Sequence, residues 1–182
     1  METGDHVVLL DEDGHASGTA LRRDVHHETT PLHLAFSCYA FDAEGRVLLT
    51  RRALTKRAWP GVWTNSWCGH PRPGEDFHRA VQRRGAEELG VTVGPVHEVL
   101  GDFRYRAVDD SGVVENEYCP VYATRLDVDP VPHPDEVMAW RWVPWSDALA
   151  LARHAPWAVS PWMAAQAPLL AAQRTAGLAW AT

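Results

Sequence analysis

Thr64-Asn65-Ser66-Trp67-Cys68-Gly69-His70-Pro71, then Pro73-Gly74-Glu75, then Arg83-Arg84-Gly85-Ala86-Glu87-Glu88-Leu89-Gly90, is the part of the sequence whose reading decides the fold. It sets a thiol, an imidazole and several carboxylates around one turn and one helix, the group types that metal-assisted proton transfer needs. The helical signal over residues 74–89 is the clearest in the chain. Phe77, Ala80, Val81, Arg84 and Glu88 fall on one side, and Gly90 stands where a C-terminal stop belongs. Arg84 and Glu88 are four apart, so they share a face.

Around this helix the sequence alternates between strand-like runs and turns. Residues 7–10 read as a strand closed by the turn at 11–14, residues 32–41 as a strand, and 47–51 as its hairpin partner across Asp42-Ala43-Glu44-Gly45. Residues 96–107 and 113–125 are two further strands separated by the turn at 109–112, and 140–143 is another. A short helix is expected over 146–153 with Ser146 as its cap, and a final helix over 161–174 interrupted near Pro168. Strands with one strong central helix and helices late in the chain predict an α/β architecture, an α+β sandwich with a mixed sheet flanked by helices. With 182 residues and no second core-sized region beyond the Pro-rich loop at 129–134, one domain over 1–182 is expected.

Composition narrows the function classes. A net charge of −7 weighs against a nucleic-acid partner, whose backbone is bound by clustered Lys and Arg. No run approaches a membrane span. Glu2, Asp5, Asp11, Glu12 and Asp13 occupy the region where a signal peptide would be basic and then apolar, so a cytoplasmic location is expected. Three widely spaced cysteines, Cys38, Cys68 and Cys119, argue against a disulfide framework and fit reduced thiols, and Cys38 and Cys119 read as small buried hydrophobes.

Glu115 and Glu117 alternate onto one face of a strand, where two carboxylates repel unless a cation lies between them or one holds a proton. An acidic solvated edge accounts for the pair equally well in isolation. His26 and His33 are a weak metal signal by themselves. Joined by His70 beside Cys68 and by the Glu115/Glu117 pair, they make a possible site of three imidazoles and two carboxylates, suited to a divalent ion.

Gly69, Glu75, Arg83 and Glu87-Glu88 carry the spacing of the Nudix box, and the chain resembles the Nudix fold at this point. The position after Arg83, usually a metal-binding glutamate in Nudix hydrolases, is Arg84, which removes a hydrolytic ligand and offers a charge to phosphate. From about residue 6 to residue 166 the chain resembles the type I isopentenyl-diphosphate isomerases. The resemblance rests on Leu32-His33-Leu34-Ala35-Phe36, Thr50-Arg51-Arg52-Ala53, the run from Trp59 to Ser66, Cys68-Gly69-His70-Pro71, Phe103-Arg104-Tyr105-Arg106, Glu115-Asn116-Glu117 and Ser160-Pro161-Trp162-Met163.

The resemblance implies a flavin-independent enzyme that interconverts isopentenyl and dimethylallyl diphosphate. It implies that His26, His33, His70, Glu115 and Glu117 bind Mn2+, Zn2+ or Mg2+, and that Glu88 with the Cys68 carbonyl holds Mg2+ on the substrate diphosphate. Cys68 and Glu117 are implied as the catalytic acid and base. Arg22, Arg52, Lys56 and Arg84 stand where the family places diphosphate-binding cations, with Arg22 in place of a common lysine.

Moving a double bond by one carbon adds a proton at one end and removes one at the other, so two proton-exchanging groups on opposite sides of a five-carbon chain are required. Tyr105 can orient a proton on the glutamate side, unless it is simply a core aromatic. Trp162 can present its π face to a carbocation, worth ~1–2 kcal/mol when desolvated. A dry pocket is needed as well, because water would trap the cation. The expected partner is a small isoprenoid diphosphate, with no nucleic acid and no membrane, and the protein is expected as a monomer or weak homodimer. The competing readings are a Nudix diphosphate hydrolase and a catalytically silent Nudix-fold module that binds a diphosphate or a metal.

Overall fold

The structure, a computed structural model, describes residues 5–175, so Glu2 of the acidic N-terminal region lies outside it. The first half of the chain forms β1 (His6–Leu10), β2 (Ala16–Leu21), the one-turn helix α1 (Arg22–Val25), β3 (His33–Leu34), β4 (Phe36–Phe41), β5 (Arg46–Arg52), β6 (Trp63–Thr64), β7 (Trp67–Gly69) and helix α2 (Phe77–Leu89). The second half forms β8 (Val96–Leu100), β9 (Arg104–Val108), β10 (Val114–Tyr118), β11 (Val121–Arg125), β12 (Val137–Pro144), α3 (Trp145–His154), a 3-10 turn (Pro156–Ala158) and α4 (Pro161–Thr175).

The strands make two sheets. One is ordered β2-β1-β3-β10-β9; the other runs β12-β5-β4-β11-β8, with β6 on β5 and β7 on β4. Each of the three longest expected strands is cut in two, and each cut is a passage between sheets: at Ala35, at 101–103 and at 119–120. Hydrophobic alternation does not reveal these breaks, because the apolar pattern continues through the crossing.

The passages at Ala35 and at 119–120 run side by side. His33 lies parallel to Glu117 in one sheet and Ser37 parallel to Val121 in the other. Between them, the Ala35 amide donates to the Tyr118 carbonyl at 2.9 Å and the Ser37 amide to the Pro120 carbonyl at 3.1 Å. Residues 33–41 and 117–125 therefore form one continuous parallel ribbon that joins the sheets.

All six residues of β4 are buried, because the larger sheet is covered on both faces. Phe36, Cys38 and Ala40 meet Ala80, Val81 and Leu89 of α2. Tyr39 and Phe41 meet Ala148 of α3 and Trp162, Met163 and Leu170 of α4 on the other side. The expected hairpin of β4 and β5 forms through Phe41 and Val47.

Helix α2 begins later than the apolar spacing suggests. Asp76 takes the cap by accepting from the Arg79 amide at 3.0 Å, while Gly90, at φ 65°, closes the helix with its amide on the Ala86 carbonyl. Gly85 is small for a packing reason: a Cβ there would lie 2.5 Å from Val93 Cγ2 and 3.2 Å from the Trp67 ring. That contact explains why the Nudix-like helix carries glycine after Arg84.

Two local expectations are corrected, and the first sheet gains a strand the sequence reading did not include. Strand β2 was not anticipated, since its Ala-Ser-Gly-Thr run is exposed and poor in strand formers. Ser146 lies inside α3, which starts at Trp145, and its hydroxyl contacts Asp147 at 3.3 Å instead of capping. Helix α4 runs unbroken through Pro168, because Met163, Ala167 and Leu170 on both sides of the proline are fully buried and hold the helix in place.

Candidate active site

Residues of α1, β5, β7, α2, β9, β10 and the first turn of α4, with the segments 55–58 and 135–137, surround a cavity of about 270 Å³. One wall is a cluster of imidazoles and carboxylates. His26 follows α1, His33 sits on β3, His70 follows β7, and Glu115 and Glu117 project from one side of β10. One ligand atom from each of His26, His33, His70 and Glu117 lies within 4.8 Å of all the others. Glu115 joins through His26, its Oε2 standing 3.0 Å from His26 Nε2.

The arrangement fits a divalent ion. His33 Nδ1 faces the Pro31 carbonyl at 2.9 Å, and since a carbonyl only accepts, the proton sits on Nδ1 and the Nε2 lone pair points inward. There it meets His70 Nε2 at 3.2 Å. His26 Nε2 and Glu115 Oε2 are buried and, despite their proximity, lack the alignment of a hydrogen bond. Metal–ligand bonds of ~2.0–2.2 Å to His and carboxylate are compatible with donors at these separations.

Electrostatics differentiate the members. Burial opposes charge on His26, but Glu115 and Glu117 outweigh it and raise its pKa to about 9. Burial lowers His70 to about 3, against the pull of Glu117. Burial would raise Glu117 too, yet the surrounding imidazoles, with His70 Nε2 hydrogen-bonded to its Oε1 at 3.1 Å, hold it well below the carboxylate range. Glu115 is raised by burial and by the charge of Glu117.

The thiol also lines the cavity. Cys68 lies on β7, and burial pushes its pKa up to about 12 against the Ser37 and Asn65 hydrogen bonds. Its sulfur donates to Asn65 Oδ1 at 3.4 Å and stands 3.4 Å from the Ser37 hydroxyl. Tyr105 faces Glu117 across the β9–β10 ladder and donates its hydroxyl to Glu117 Oε2 at 2.8 Å. The Trp162 indole N–H donates to Asn65 Oδ1 at 2.9 Å. The Trp162 ring meets Tyr105 at 5.7 Å and the edge of Trp59 at 5.6 Å, while the Arg52 guanidinium sits 5.4 Å over it. One indole face is thus already occupied by a protein cation.

Arg22, Arg52, Lys56 and Arg84 all line the cavity, each engaged by protein acceptors. Arg22 pairs with Asp5 at 2.7 Å. Arg52 donates to the Ala58 carbonyl at 2.7 Å and to the Trp59 carbonyl at 3.1 Å. Lys56 pairs with Glu136, and Arg84 with Glu88, with Glu87 at 2.8 Å and with Glu136 at 3.1 Å. Burial would raise Glu136, but Lys56 and Arg84 bring it down to about 2. Glu88 stands on α2, outside the imidazole cluster. Arg83 forms a two-pronged pair with Glu75 at 2.8 Å on each prong and donates to the His70 carbonyl at 3.1 Å, anchoring that imidazole.

Sequence reasoning missed several groups. Glu136 follows a Pro-rich loop and looks like ordinary surface charge. Asn65, Ser37 and Gln166 are fully buried polar residues. The three consecutive polar residues between Trp63 and Trp67 were the available sign that Asn65 serves a buried network.

Residues 31–164 match the Nudix domain family. An isopentenyl-diphosphate Delta-isomerase of Frankia alni is 55% identical over 185 residues, covering 97% of this chain and 95% of its own length. One of the same name from Mycolicibacterium vanbaalenii is 57% identical, covering 93% of each. The chain belongs to this isomerase family. A MutT protein of Methanosarcina mazei superposes with a TM-score of 0.65 over 79% of this chain and 96% of its own, at 17% identity, a likeness of fold alone. Within the isomerase family the buried Arg84, held by three carboxylates in place of the hydrolase glutamate, and the glycine beside it are a coherent pair, one facing the cavity and the other letting α2 close on Trp67.

Proposed function

We propose that the protein is an isopentenyl-diphosphate Delta-isomerase that carries out the 1,3-allylic rearrangement of isopentenyl to dimethylallyl diphosphate in isoprenoid biosynthesis. The observation that carries this reading is the placement of the Cys68 thiol and the Tyr105–Glu117 pair on the same small cavity. Cys68 and Glu117 exchange protons with the two ends of the alkene, and Tyr105 holds Glu117 in place. Trp162 closes the apolar end, where a tertiary carbocation needs π density and no water.

At the other end Arg22, Arg52, Lys56 and Arg84 bind the diphosphate, exchanging protein acceptors for phosphate oxygens. His26, His33, His70, Glu115 and Glu117 would hold Mn2+, Zn2+ or Mg2+, and Glu88 with the Cys68 carbonyl would hold Mg2+. When bound, these ions set the basicity of the glutamate and neutralise the diphosphate. No flavin is required. The whole chain, 1–182, acts as one unit in the cytoplasm as a monomer or weak homodimer; among the described residues no helix is long and apolar enough to cross a membrane.

The test is incubation with isopentenyl diphosphate and Mg2+ in deuterated water. Allylic product with incorporated deuterium is expected, and its absence overturns the reading. Release of phosphate or pyrophosphate would mark a hydrolase instead, and binding without turnover a silent module. Cys68→Ala and Glu117→Gln should each abolish nearly all turnover while still binding substrate.

A further inference from the structure

Lys56 and Arg84 reach the cavity from different places, Lys56 from the loop after β5 and Arg84 from α2, yet one carboxylate holds both. Glu136 Oε1 accepts from Arg84 Nη2 at 3.1 Å, and Glu136 Oε2 pairs with the Lys56 ammonium. Glu136 lines the cavity itself. Two cations at one end of a small cavity repel each other, and a carboxylate between them offsets that repulsion and fixes how far apart their heads stand.

The backbone that carries Glu136 is braced to both of the elements that carry its cations. Toward α2, the Val131 amide donates to the Leu89 carbonyl and the His133 amide to the Glu88 carbonyl, each at 2.8 Å, filling two of the acceptors that a helix end leaves open. Gly90 permits that approach, since a Cβ there would lie 2.6 Å from the Val131 carbonyl oxygen. Toward the Lys56 loop, the Ala53 amide donates to the Glu136 carbonyl and the Thr55 hydroxyl to the Asp135 carbonyl, each at 3.0 Å. The Glu136 amide closes a turn on the His133 carbonyl at 3.0 Å. With its own amide and carbonyl both committed, Glu136 has little room to swing away when substrate arrives. These bonds hold the segment in place without any ion pair, so what the side chain fixes is the two cationic heads.

Neither cation is used up by this pairing. An ammonium has three N–H groups, and the pair with Glu136 takes one. Arg84 spends Nη1 on Glu87 and Nη2 on Glu88 and Glu136, while its Nε is buried without a hydrogen-bond partner among the described residues. Donors therefore remain for phosphate oxygens with Glu136 still in place. We propose that Glu136 is a positioning residue: its carboxylate stays between Lys56 and Arg84 while substrate is bound and sets the spacing at which the two cations meet the diphosphate. The rival is a placeholder, a carboxylate that occupies a phosphate position and has to be displaced. The two predict opposite changes in affinity when the charge is removed.

The proposal rests on the reading that Lys56 and Arg84 bind the substrate diphosphate, and two readouts keep it apart from the isomerase activity. Binding of inorganic pyrophosphate to the Mg2+-loaded protein is measured by calorimetry, and KM and kcat for isopentenyl diphosphate are measured alongside. Glu136→Gln should weaken pyrophosphate by about tenfold or more and raise KM by a similar factor, with kcat within about threefold, because a diphosphate contact is alike in ground and transition states. Glu136→Asp, which keeps the charge on a shorter arm, should fall between wild type and Glu136→Gln. In a Lys56→Met background Glu136→Gln should cost less than it does in wild type, since one of the two cations it positions is gone. Pyrophosphate affinity that is unchanged or tighter in Glu136→Gln overturns the proposal, the tighter result marking a placeholder, and so does a loss confined to kcat. Unchanged affinity in Lys56→Met alone removes the cation assignment, and the proposal with it. A wild type that forms no allylic product defeats the isomerase reading alone, because the pyrophosphate result still decides the role of Glu136. If Glu136→Gln does not fold, Glu136→Asp decides: binding weaker by about threefold supports the proposal and unchanged binding overturns it.

Discussion

Replacing Asn65 with alanine tests how much of the fold hangs on one buried amide. Its nitrogen donates to the Cys38 carbonyl at 3.0 Å and the Trp67 carbonyl at 2.9 Å. Its oxygen accepts from Thr64 Oγ1 at 2.8 Å, from the Trp162 indole at 2.9 Å and from the Cys68 thiol at 3.4 Å. In Asn65→Ala the Thr64 hydroxyl can turn to Ser160, 2.7 Å away, and the thiol to Ser37. The two carbonyls and the indole N–H lose these bonds at a site with no exposure. At the lower part of the ~1–3 kcal/mol that each of the three stranded groups costs, the loss comes to about 3–5 kcal/mol. That is a large part of the ~5–15 kcal/mol that holds a typical domain together. In urea unfolding followed by tryptophan fluorescence, with a slope of ~2 kcal/mol/M, the midpoint should fall by about 2 M with the slope unchanged. Asn65→Asp, which turns an oxygen toward the same two carbonyls, should lose at least as much. A loss below about 1 kcal/mol in both variants would refute the view that this amide bridges β4, β7 and α4.

Arg84→Ala removes the guanidinium shared by Glu87, Glu88 and Glu136 and should cost about 3–5 kcal/mol in the same assay, because the buried Glu88 loses its cation and Glu136 is left with Lys56 alone, while KM for the diphosphate rises. Gly85→Ala gains about 1 kcal/mol of helix propensity but drives a methyl into Val93 and Trp67, so the net effect should be a Tm lower by about 3 °C; an unchanged or higher Tm would show that α2 can move away from the sheet. The Glu75 carboxyl is held below its usual value of 4.5, first by its Arg83 hydrogen bonds, against burial. A lowered folded pKa gives stability that is fully present above the unfolded value and lost as pH falls through the folded one. Denaturant midpoints measured from pH 6 down to pH 3 should therefore decline less steeply in Glu75→Gln than in wild type, and parallel curves would contradict this.

Much of the site was legible in the sequence because its members are chemically distinctive. Three histidines, two alternating glutamates and a cysteine in a helix-flanking turn have few other reasons to coexist, and the structure brings His26, His33, His70 and Glu117 within reach of one ion. Residues that look like surface charge or core filler gave no such signal. Glu136 reveals its importance only through Lys56 and Arg84, cations from different parts of the chain. Ser37 sits in a run that reads simply as a buried strand. The fold divides in the same way. Helix α2 has caps and periodicity of its own, whereas the three crossings between sheets depend on which neighbours each strand meets, and local alternation carries no trace of that.

The ribbon that joins the two sheets also governs when the candidate metal-binding cluster can form. His26 and His33 are near neighbours along the chain, but Glu117 reaches them only when the ribbon has zipped, and Ser37 and Cys119 in the same ribbon are 82 positions apart. Closing so long a loop belongs to the global folding event, so an unfolded chain holds no preassembled set of ligands. An ion captured by this cluster binds the native chain almost alone, and nearly all of its binding free energy adds to folding stability. The thermal midpoint should then track free metal concentration, so that unfolding itself reports the occupancy of the site.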